Sequence, residues 1–325
     1  MKNILLISNQ RINKNGAGNP IVQRMQRALE TNERVGNVIF FPFDNRIKTL
    51  FEIRKNAQKY DVVHIHFGGL YALIIYLFLL GLNKKIVITF HGTDIHAKAL
   101  KTTKNFLKKI KIILNQKASF VSICLFDKCG FVSKEMIRYV PKFLVNRFEG
   151  KFFIQSLGVD YETFTPVSVF DAQNMLLLPK GHYALFSDVA NTPIKRRDIA
   201  QAILDSLGGN FKMLIMCGVK PDEVPTYLNA SDFVLLTSDE EGSPNIVREA
   251  LSLNKRVYSV DVGDVKDQLR GLRNSMIISR TPSDAALCIR NNMKEPYVDN
   301  TRKLLQKTLD FKCINENIID LYEKI

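Results

Sequence analysis

The strongest constraint on the fold is the regular alternation of short apolar runs with helical patterns along the chain. In the first half, runs rich in β-branched and aromatic residues predict strands at 3–8, 36–41, 61–65 and 85–90. Segments with apolar residues at helical spacing lie between or after them, at 19–31, 46–58, 70–82 and 98–116. This alternation indicates parallel βαβ units with both faces of the sheet covered. The stretch 118–150 leaves two positions open for a further strand, 119–124 or 130–132.

The same alternation restarts after Pro166. It predicts strands at 183–188, 211–216, 232–237, 256–260 and 275–278. It predicts helices at 195–207, 244–254, 263–270 and 282–292, and a last helix at about 300–324. A chain of 325 residues is long enough for two domains. We therefore expect two doubly wound α/β domains, joined by a hinge near Leu157 to Pro166, with a cleft between them at the carboxyl ends of both sheets.

Basic charge is concentrated in the first half of the chain. Residues 1–150 contain 25 Lys and Arg and 9 Asp and Glu, a net charge of +16, whereas residues 151–325 carry −2. A basic domain favours a polyanionic partner: a nucleic acid, an anionic lipid surface or a phosphorylated acceptor. Because no nucleic-acid-binding motif is recognised and the second half is near neutral, we expect no nucleic acid as a partner.

Cysteine spacing and hydropathy favour a protein of the cytoplasm. The five cysteines fit no zinc or redox pattern, so they are predicted to be reduced thiols, and we expect no metal site. The longest apolar run, Leu70 to Leu82, is shorter than the ~20 residues of a membrane span. The chain starts with residues that run directly into the first predicted strand, without a signal-peptide pattern.

The most specific stretch follows the strand predicted at 232–237. A turn with Gly242 leads into a helix, for which Ser243 is the predicted N-cap and Pro244 the first residue. The backbone N–H groups of residues 245–247 would then form an anion site. Two carboxylates, Glu241 and Glu249, flank this site. Hydroxyl groups beside phosphates, as in a nucleotide sugar, are the ligand chemistry that suits this combination.

The Glu-x7-Glu spacing from Glu241 to Glu249, with Gly242 and Ala250 after the two glutamates, resembles the retaining family 4 glycosyltransferases. The resemblance extends over about 45 residues, from Glu223 to Val265. It implies the GT-B fold: an acceptor-side Rossmann-like domain at 1–165, a donor-binding Rossmann-like domain at 166–305, and a C-terminal helix at 306–325 that packs on the first domain. It also implies a metal-independent hexosyltransferase without cofactor, of the kind used in capsule, lipopolysaccharide and other surface polysaccharide synthesis.

Further segments resemble the same family. Gly158 to Pro166 is similar to its interdomain segment, and His91-Gly92-Thr93-Asp94 is similar to its His-Gly-Ser/Thr-Asp. The resemblance implies Glu241 and His91 as catalytic residues and a UDP- or GDP-linked sugar as donor. The implied donor-binding residues are Gly16, Gly18, Lys195, Arg196, Gly218, Val219, Gly242, Ser243, Pro244, Asn245, Ile246 and Glu249.

The chain departs from the family pattern at one cation. The family places an arginine about five residues before the lysine that matches Lys195, but Ala190 stands there. Either Arg196 or Arg197 takes its place, or the donor site has one cation fewer. His64, His66, His96 and His182 are expected to be structural.

A basic amphipathic helix is predicted at 98–116. Its apolar residues recur at helical spacing, and its lysines are Lys98, Lys101, Lys104, Lys108, Lys109 and Lys111. Two interpretations stay open: a solvated helix packed on the sheet, or a surface that binds anionic lipid head groups. The second, together with the family resemblance, predicts a peripheral protein on the inner face of the cell membrane with a lipid-linked or polysaccharide acceptor.

Other functions remain possible for this fold. A nucleotide-sugar epimerase or phosphorylase is disfavoured by the glutamate spacing. A non-catalytic glycosyltransferase-like partner, or a glycan-binding protein, is compatible with Ala190. Release of nucleoside diphosphate in the presence of acceptor separates an enzyme from such a protein.

Overall fold

A computed structural model describes residues 1–9, 20–44, 46–97, 100, 103–188, 192–209, 211–298 and 300–325. The chain forms two compact units, one of residues 1–157 with 311–325 and one of residues 158–310. The unit boundaries therefore differ from the predicted 165 and 305. The reason is that Val159, Tyr161 and Phe164 are buried in the core of the second unit. Arg302, beyond them in the sequence, stacks over the Tyr161 ring at 4.3 Å and so belongs to the same core.

The first unit contains a six-stranded parallel sheet. Its strands are β1 (Lys2–Ser8), β2 (Val35–Pro42), β3 (Val62–His66), β4 (Lys85–Phe90), β5 (Lys128–Phe131) and β6 (Phe152–Ile154), in the order β2-β1-β3-β4-β5-β6. The helices before the C-terminal segment are α1 (Pro20–Glu30), α2 (Ile47–Ala57), α3 (Leu70–Leu79), α4 (Phe106–Leu125) and α5 (Lys142–Phe148). Residues 4–7 of the central strand β1 are all fully buried, as expected for a sheet covered on both faces.

The second unit contains a five-stranded parallel sheet. Its strands are β7 (His182–Ser187), β8 (Phe211–Met216), β9 (Phe233–Leu236), β10 (Arg256–Ser259) and β11 (Met276–Ile277), in the order β11-β10-β9-β7-β8. Its helices are α6 (Val169–Met175), α7 (Arg197–Leu207), α8 (Val224–Asn229), α9 (Asn245–Ser252), α10 (Val265–Gln268), α11 (Pro282–Lys294) and α12 (Thr301–Leu309). The predicted alternation of strands and helices is confirmed, and so is the fold class of two doubly wound α/β units. The elements β6, α5, α6 and α8 were not predicted.

The predicted helix at 98–116 is wrong in its bounds. Helix α4 begins after Asn105, whose side-chain oxygen accepts a hydrogen bond from the Lys108 amide at 3.0 Å and so caps the helix. It continues to Leu125, which excludes the strand proposed at 119–124. The strand of this region is β5, which overlaps the alternative position at 130–132 and begins two residues earlier. Lys98 and Lys101 lie outside the described residues.

The predicted last helix is two helices. Helix α12 ends at Leu309, and α13 (Phe311–Lys324) follows. Asp310 interrupts them because the Val159 amide donates to the Leu309 carbonyl oxygen at 2.7 Å and Val159 pairs with Asp310 as a parallel bridge. Helix α13 belongs to the first unit, where it contacts α1 and buries Ile318, Ile319 and Tyr322 in the core.

No helix in the described part of the chain is long and apolar enough to cross a membrane.

Candidate functional site

In the second unit, the predicted donor residues around Lys195 and Glu241 lie at the switch point of the sheet, where the order of strands reverses its direction. This point lies between β7 and β9, which are neighbours although β8 separates them in sequence. Ligands of open α/β sheets bind outside the carboxyl ends of the strands at such a point. Two segments meet there: the turn Pro193–Lys195 before α7 and the loop at 237–244 before α9.

Hydrogen bonds to backbone carbonyl oxygens hold the two segments together. The Thr237 hydroxyl donates to the carbonyl oxygens of Lys195 at 3.0 Å and Arg196 at 2.9 Å. The Asp239 amide donates to the Ile194 carbonyl oxygen at 2.8 Å. Lys195 is thereby placed in a short turn before α7, whereas the sequence predicted it as the first residue of the helix. The turn presents its side chain to the loop after β9.

Lys195, Glu241 and Ser238 form the central cluster. The Lys195 ammonium donates to Glu241 Oε1 at 2.6 Å, and the Ser238 hydroxyl donates to the same oxygen at 2.7 Å. The side chains of Lys195 and Glu241 are 23 % and 14 % exposed, so the pair is shielded but reachable. Sequence reasoning predicted Lys195 and Glu241 as site residues and missed Ser238, although it ends the strand pattern directly before the glutamate.

The loop before α9 is held by an arginine that sequence reasoning also missed. Arg280 donates to the carbonyl oxygens of Thr237 at 3.1 Å and Ser238 at 2.8 Å, and to Asp239 Oδ1 at 2.9 Å. It lies about forty residues further along the chain and has no motif around it, so only the tertiary structure reveals it. Its guanidinium fixes the carboxyl end of β9 and so positions the loop that carries Glu241.

Helix α9 begins one residue later than predicted. Pro244 is the N-cap and Asn245 the first helical residue, so Ser243 is not the cap. The Ser243 hydroxyl is committed elsewhere: it donates to Asp264 Oδ2 at 2.5 Å and accepts from Arg248 Nη1 at 2.6 Å. Its carbonyl oxygen accepts a second bond from Arg248 at 3.0 Å. Ser243 therefore ties the turn to its surroundings rather than closing the helix end.

Arg248 places a positive charge beneath the start of α9. The residue is 2 % exposed and also donates to Asn245 Oδ1 at 2.8 Å. An anion at the first turn of the helix would meet both the helix N–H groups and this charge. Arg248 stands inside the Glu-x7-Glu segment, at a position where helical spacing alone predicts an apolar residue, and sequence reasoning did not single it out.

Gly263 lies in the connection after β10 and allows the loop that carries Glu241 to approach this connection closely. Its φ is +57°, and a Cβ at this position would lie 2.5 Å from the Gly242 carbonyl oxygen and 3.1 Å from that of Glu241. A side chain would therefore push the Glu241 loop away. Only glycine combines this backbone conformation with so close an approach.

The other described donor candidates lie on α9 and directly after β8. Glu249 lies within α9 and is buried, at 6 % exposure. Gly218 and Val219 follow β8, and Gly218 has φ +68°, which suits an open turn. Ile246 is buried at the start of α9. Gly16, Gly18 and Ala190 lie outside the described residues.

Arg196 is partly committed to neighbouring carboxylates. It donates to both Asp198 oxygens, at 3.0 and 2.9 Å, and contacts Asp239 at 3.4 Å. Hydrogen bonds to Asp198, helped by the charges of Asp198 and Asp239, hold the pKa of its guanidinium above the ordinary value. Its backbone is left-handed, with φ +53°, which ends the turn before α7.

In the first unit, His91 directly follows β4 and is held by Asp94 through its backbone. The Asp94 carboxylate accepts hydrogen bonds from the amides of His91 at 3.0 Å, Gly92 at 2.8 Å and Gly68 at 2.7 Å. Burial raises the pKa of the Asp94 carboxyl, and these amide bonds oppose the increase. The His91 ring stacks on Phe67 at 4.0 Å and contacts His66, Nε2 to Nδ1, at 3.1 Å. Asp94 therefore orients the catalytic candidate.

The described part of α4 is apolar and basic on its exposed side. Phe106 and Leu107 are 73 % and 74 % exposed. The residues of the predicted apolar stripe at 110, 113 and 114 are also exposed, between 37 % and 49 %. Lys104, Lys108, Lys109 and Lys111 are exposed beside them. The apolar residues of the first turns are thus exposed, whereas α4 packs through Ala118, Ser119, Ser122 and Ile123 further along. Both interpretations of this helix stay open.

Among the described residues, no group of three or more His, Cys, Asp or Glu side chains is arranged to hold a metal ion.

The chain resembles known proteins in sequence over part of its length and in structure over nearly all of it. Residues 21–162 match the family model described as Glycosyltransferase Family 4. No individually curated protein sequence matches the chain. The sucrose-phosphate synthase of Thermosynechococcus elongatus is similar in structure over 100 % of this chain and 99 % of its own, with a TM-score of 0.77 and 13 % identity.

Two further solved structures are similar over nearly their whole length. HepE from Anabaena, in complex with UDP-glucose, aligns over 100 % of both chains with a TM-score of 0.72 and 14 % identity. WaaG, a glycosyltransferase involved in lipopolysaccharide biosynthesis, aligns over 98 % of this chain and 99 % of its own, with a TM-score of 0.64 and 13 % identity.

The fold class follows from the structural alignments. Two parallel-sheet α/β units that align over the full chain with these structures have the GT-B fold, as predicted. The family 4 glycosyltransferase model matches residues 21–162, less than half of the chain. Both findings agree with the predicted enzyme class, a glycosyltransferase.

Proposed function

We propose that this protein is a retaining glycosyltransferase that moves a sugar from a UDP- or GDP-linked donor to a lipid-linked or polysaccharide acceptor in surface glycan synthesis. The cluster of Lys195, Glu241 and Ser238 at the switch point of the second unit carries the proposal. It combines one cation, one carboxylate and the start of a helix at the place where α/β sheets bind nucleotides. The UDP-glucose bound by HepE supports a nucleotide sugar as donor.

The donor diphosphate would bind at Lys195 and at the first amides of α9. As the bond between sugar and diphosphate breaks, negative charge develops on the leaving phosphate, and these donors stabilise it. Arg248 adds a fixed positive charge beneath the same turn. We infer that Arg248 supplies the second positive charge at the diphosphate, the role for which Arg196 or Arg197 was predicted. Arg196 is instead paired with Asp198 and Asp239. The proposal requires no metal ion.

Glu241 would orient the donor sugar. Both of its described hydrogen bonds end on Oε1, which leaves Oε2 for a sugar hydroxyl. When Lys195 turns to the diphosphate, Ser238 still holds the carboxylate in place. Glu249 would accept hydrogen bonds from the ribose hydroxyls, and Gly218 with Val219 would line the place of the base. His91, directly after β4, is the further catalytic residue that the family resemblance implies.

The acceptor and the membrane are proposed to meet the first unit. Its α4 presents exposed apolar side chains beside four described lysines, a combination that suits an interface of anionic lipids. WaaG acts in lipopolysaccharide biosynthesis, which supports a surface glycan as product. A position at the inner face of the cell membrane follows from this proposal.

A panel of nucleotide sugars tests the donor. The expected result is a rise in melting temperature with UDP- or GDP-sugars, because a ligand at about 100 times its dissociation constant adds ~2.7 kcal/mol to stability. Nucleoside diphosphate release with a lipid extract as acceptor then separates an enzyme from a non-catalytic glycan-binding protein. The anomeric proton coupling of the product tests retention, and activity unchanged by a chelator tests metal independence. No thermal shift with any nucleotide sugar would contradict the proposal.

A further inference from the structure

Asp264 joins the start of α10 to the turn that carries Glu241. Its Oδ2 accepts a hydrogen bond from the Ser243 hydroxyl at 2.5 Å, and its Oδ1 accepts one from Gln268 Nε2 at 2.6 Å. Ser243 belongs to the turn before α9 and lies 21 residues before Asp264 in the sequence. The Asp264 carboxylate therefore links two segments of the second unit that the strand β10 separates.

The carboxylate does not serve its own helix. Asp264 is the N-cap of α10, a position where an aspartate side chain ordinarily accepts a hydrogen bond from a backbone amide of the first turn. Within the described segment 263–270, its side chain makes no such capping bond. The amides of Asp267 and Gln268 both donate to the Asp264 backbone carbonyl oxygen instead, at 3.0 Å each. The side chain is thus used for the contacts with Ser243 and Gln268 rather than for the helix end.

The hydrogen bonds between Arg248, Ser243 and Asp264 have one direction. A guanidinium only donates, so the bond from Arg248 Nη1 at 2.6 Å ends on a lone pair of the Ser243 hydroxyl oxygen. The proton of that hydroxyl then goes to Asp264, because an ionised carboxylate only accepts. The three side chains therefore form an ion pair that is bridged by a hydroxyl group.

This bridge supplies negative charge to a buried cation. Arg248 is 2 % exposed, and a buried charge is costly unless it is paired and hydrogen-bonded. Its guanidinium also donates to the Ser243 carbonyl oxygen at 3.0 Å and to Asn245 Oδ1 at 2.8 Å, which are both neutral groups. Through Ser243, Asp264 adds a carboxylate to this set and so holds the cation beneath the first turn of α9.

The backbone of the same connection packs against the turn. A Cβ at Gly263 would lie 2.5 Å from the Gly242 carbonyl oxygen and 3.1 Å from that of Glu241. Gly263 and Asp264 thus contact the three consecutive residues that begin with Glu241. On the other side, Arg280 bonds the carbonyl oxygens of the two residues that end the β9 segment. The direction of the Glu241 side chain depends on both attachments of its turn.

We propose that Asp264 is a positioning residue for Glu241. Acting through the Ser243 hydroxyl, it holds the turn between β9 and α9, together with the positive charge of Arg248, in the arrangement that sugar transfer needs. This role in transfer rests on the proposed function, whereas the coupling between Asp264 and Ser243 does not. All of the residues involved lie in the second unit.

A double-mutant cycle in urea unfolding tests the coupling. Ser243→Ala and Asp264→Asn each break the bridge, so the second change should cost less stability when the first is already present. Asp261→Asn is the matched control, because Asp261 is an exposed aspartate of the same connection. Its effect should add to that of Ser243→Ala. Additive losses for Ser243→Ala and Asp264→Asn overturn the proposal.

Steady-state kinetics separate positioning from a purely structural role. Asp264→Asn keeps the shape of the side chain but turns one accepting oxygen into a donating amide, which opposes either Ser243 or Gln268. We expect kcat to fall about 10- to 100-fold while KM for the donor changes less than about twofold, since a misplaced orienting group affects turnover more than binding. Asp261→Asn should keep the native kcat. Turnover is measured below the melting temperature of every variant, and an unchanged kcat in Asp264→Asn overturns the proposal.

An exchange of the two side chains on α10 tests the direction of the bonds. In the double variant Asp264→Asn/Gln268→Glu, the amide at position 264 can donate to the carboxylate at position 268 while its oxygen accepts from Ser243. The net charge is that of the native protein. This variant should recover most of the kcat that Asp264→Asn loses, and equal kcat in the single and double variants overturns the proposal.

Two substitutions of Ser243 carry the test if Asp264→Asn does not fold. Ser243→Thr keeps the hydroxyl group and should keep most of kcat, whereas Ser243→Ala removes it and should show the loss. Equal kcat in these two variants overturns the proposal. Coupling between Ser243 and Asp264 without turnover of any nucleotide sugar would instead contradict the proposed function alone, and the coupling would then decide on the bridge.

Discussion

The Lys195 ammonium is shared in the proposed cycle between Glu241 and the donor diphosphate. Replacing Lys195 with Ala removes a charged hydrogen bond to the diphosphate, so donor affinity should fall by about 1–3 kcal/mol. Isothermal titration calorimetry with the donor measures this loss. Lys180→Ala, an exposed lysine of the same unit, is the control and should bind as the native protein does. Equal affinity in both variants would place the diphosphate elsewhere.

Gly263 matters because it lies against the Glu241 loop. In Gly263→Ala, the backbone strain of a left-handed residue, about 1–2 kcal/mol, is increased by the contact with the Gly242 carbonyl oxygen. Gly271→Ala is the matched control, since its φ is +78° but no atom lies within 4 Å of the added Cβ. In urea unfolding, Gly263→Ala should lose more free energy of unfolding than Gly271→Ala. Gly263→Ala should also bind the donor more weakly. Equal losses of stability in the two variants would mean that the Glu241 loop moves away from the added methyl group without destabilising the fold.

The two fully buried histidines of β3 give stability a defined pH dependence. Burial lowers the folded-state pKa of His64 and lowers that of His66 to about 3, from an ordinary value of 6.5. Between these values the unfolded chain binds more protons, so stability falls as pH decreases below about 6.5, by up to ~1.4 kcal/mol per pH unit for each histidine. Urea unfolding at about pH 7.5 and about pH 5.5 measures the loss. Between these two pH values, His66→Phe should lose less stability than the native protein does. An equal loss of stability would contradict a buried, neutral His66.

At the scale of single elements, α13 completes the core of the first unit. Ile318 is 1 % exposed and lies in the cluster that contains β1 and α1 residues. Ile318→Ala should therefore lower the free energy of unfolding by about 2–5 kcal/mol, since it leaves a cavity in a packed core. Asn317→Ala, one residue earlier and exposed, should have a small effect. Similar losses in chemical denaturation would mean that α13 does not pack as described.

Helix α4 tests the membrane proposal. Lys104, Lys108, Lys109 and Lys111 changed to Gln should release the protein from vesicles of phosphatidylcholine with phosphatidylglycerol. Salt should weaken native binding too, because exposed charges are screened over about 10 Å at about 0.1 M. The control changes four exposed lysines of the second unit to Gln, Lys180, Lys212, Lys220 and Lys266, and so removes the same charge. If the α4 variant floats with the vesicles to the same extent as the native protein, the membrane proposal is contradicted.

The elements show how far local pattern determines structure. Strands buried on both faces, such as β1 and β4, were predicted within one residue because their apolar runs are continuous. The start of α4 was misplaced because its apolar residues keep helical spacing upstream of the Asn105 cap, and the break at Asp310 was missed because it is made by contact with Val159. Lys195 and Glu241 were predicted through a motif. The contacts of Ser238 and Arg280 join segments that spacing does not relate, so the sequence alone did not single out these residues.

At the scale of the whole molecule, charge is divided between the two parts of the chain. The first 150 residues carry +16, while the rest carry −2 and contain the carboxylates that would face sugar hydroxyls. This division fits the proposed roles of the two units, with the first meeting an anionic surface and the second binding a neutral sugar on a diphosphate. The predicted cleft between the domains stays a prediction.

Release of nucleoside diphosphate by Glu241→Ala, compared with the native protein, tests the central claim most directly. The account predicts that the native protein releases UDP or GDP from one nucleotide sugar in the presence of lipid acceptor. It predicts that Glu241→Ala releases it at least about 100-fold more slowly while binding the donor with little loss, because the carboxylate orients the reacting sugar. Glu240→Ala, at the neighbouring acidic position, is the control and should keep most of the activity. Native rates in Glu241→Ala would contradict the account.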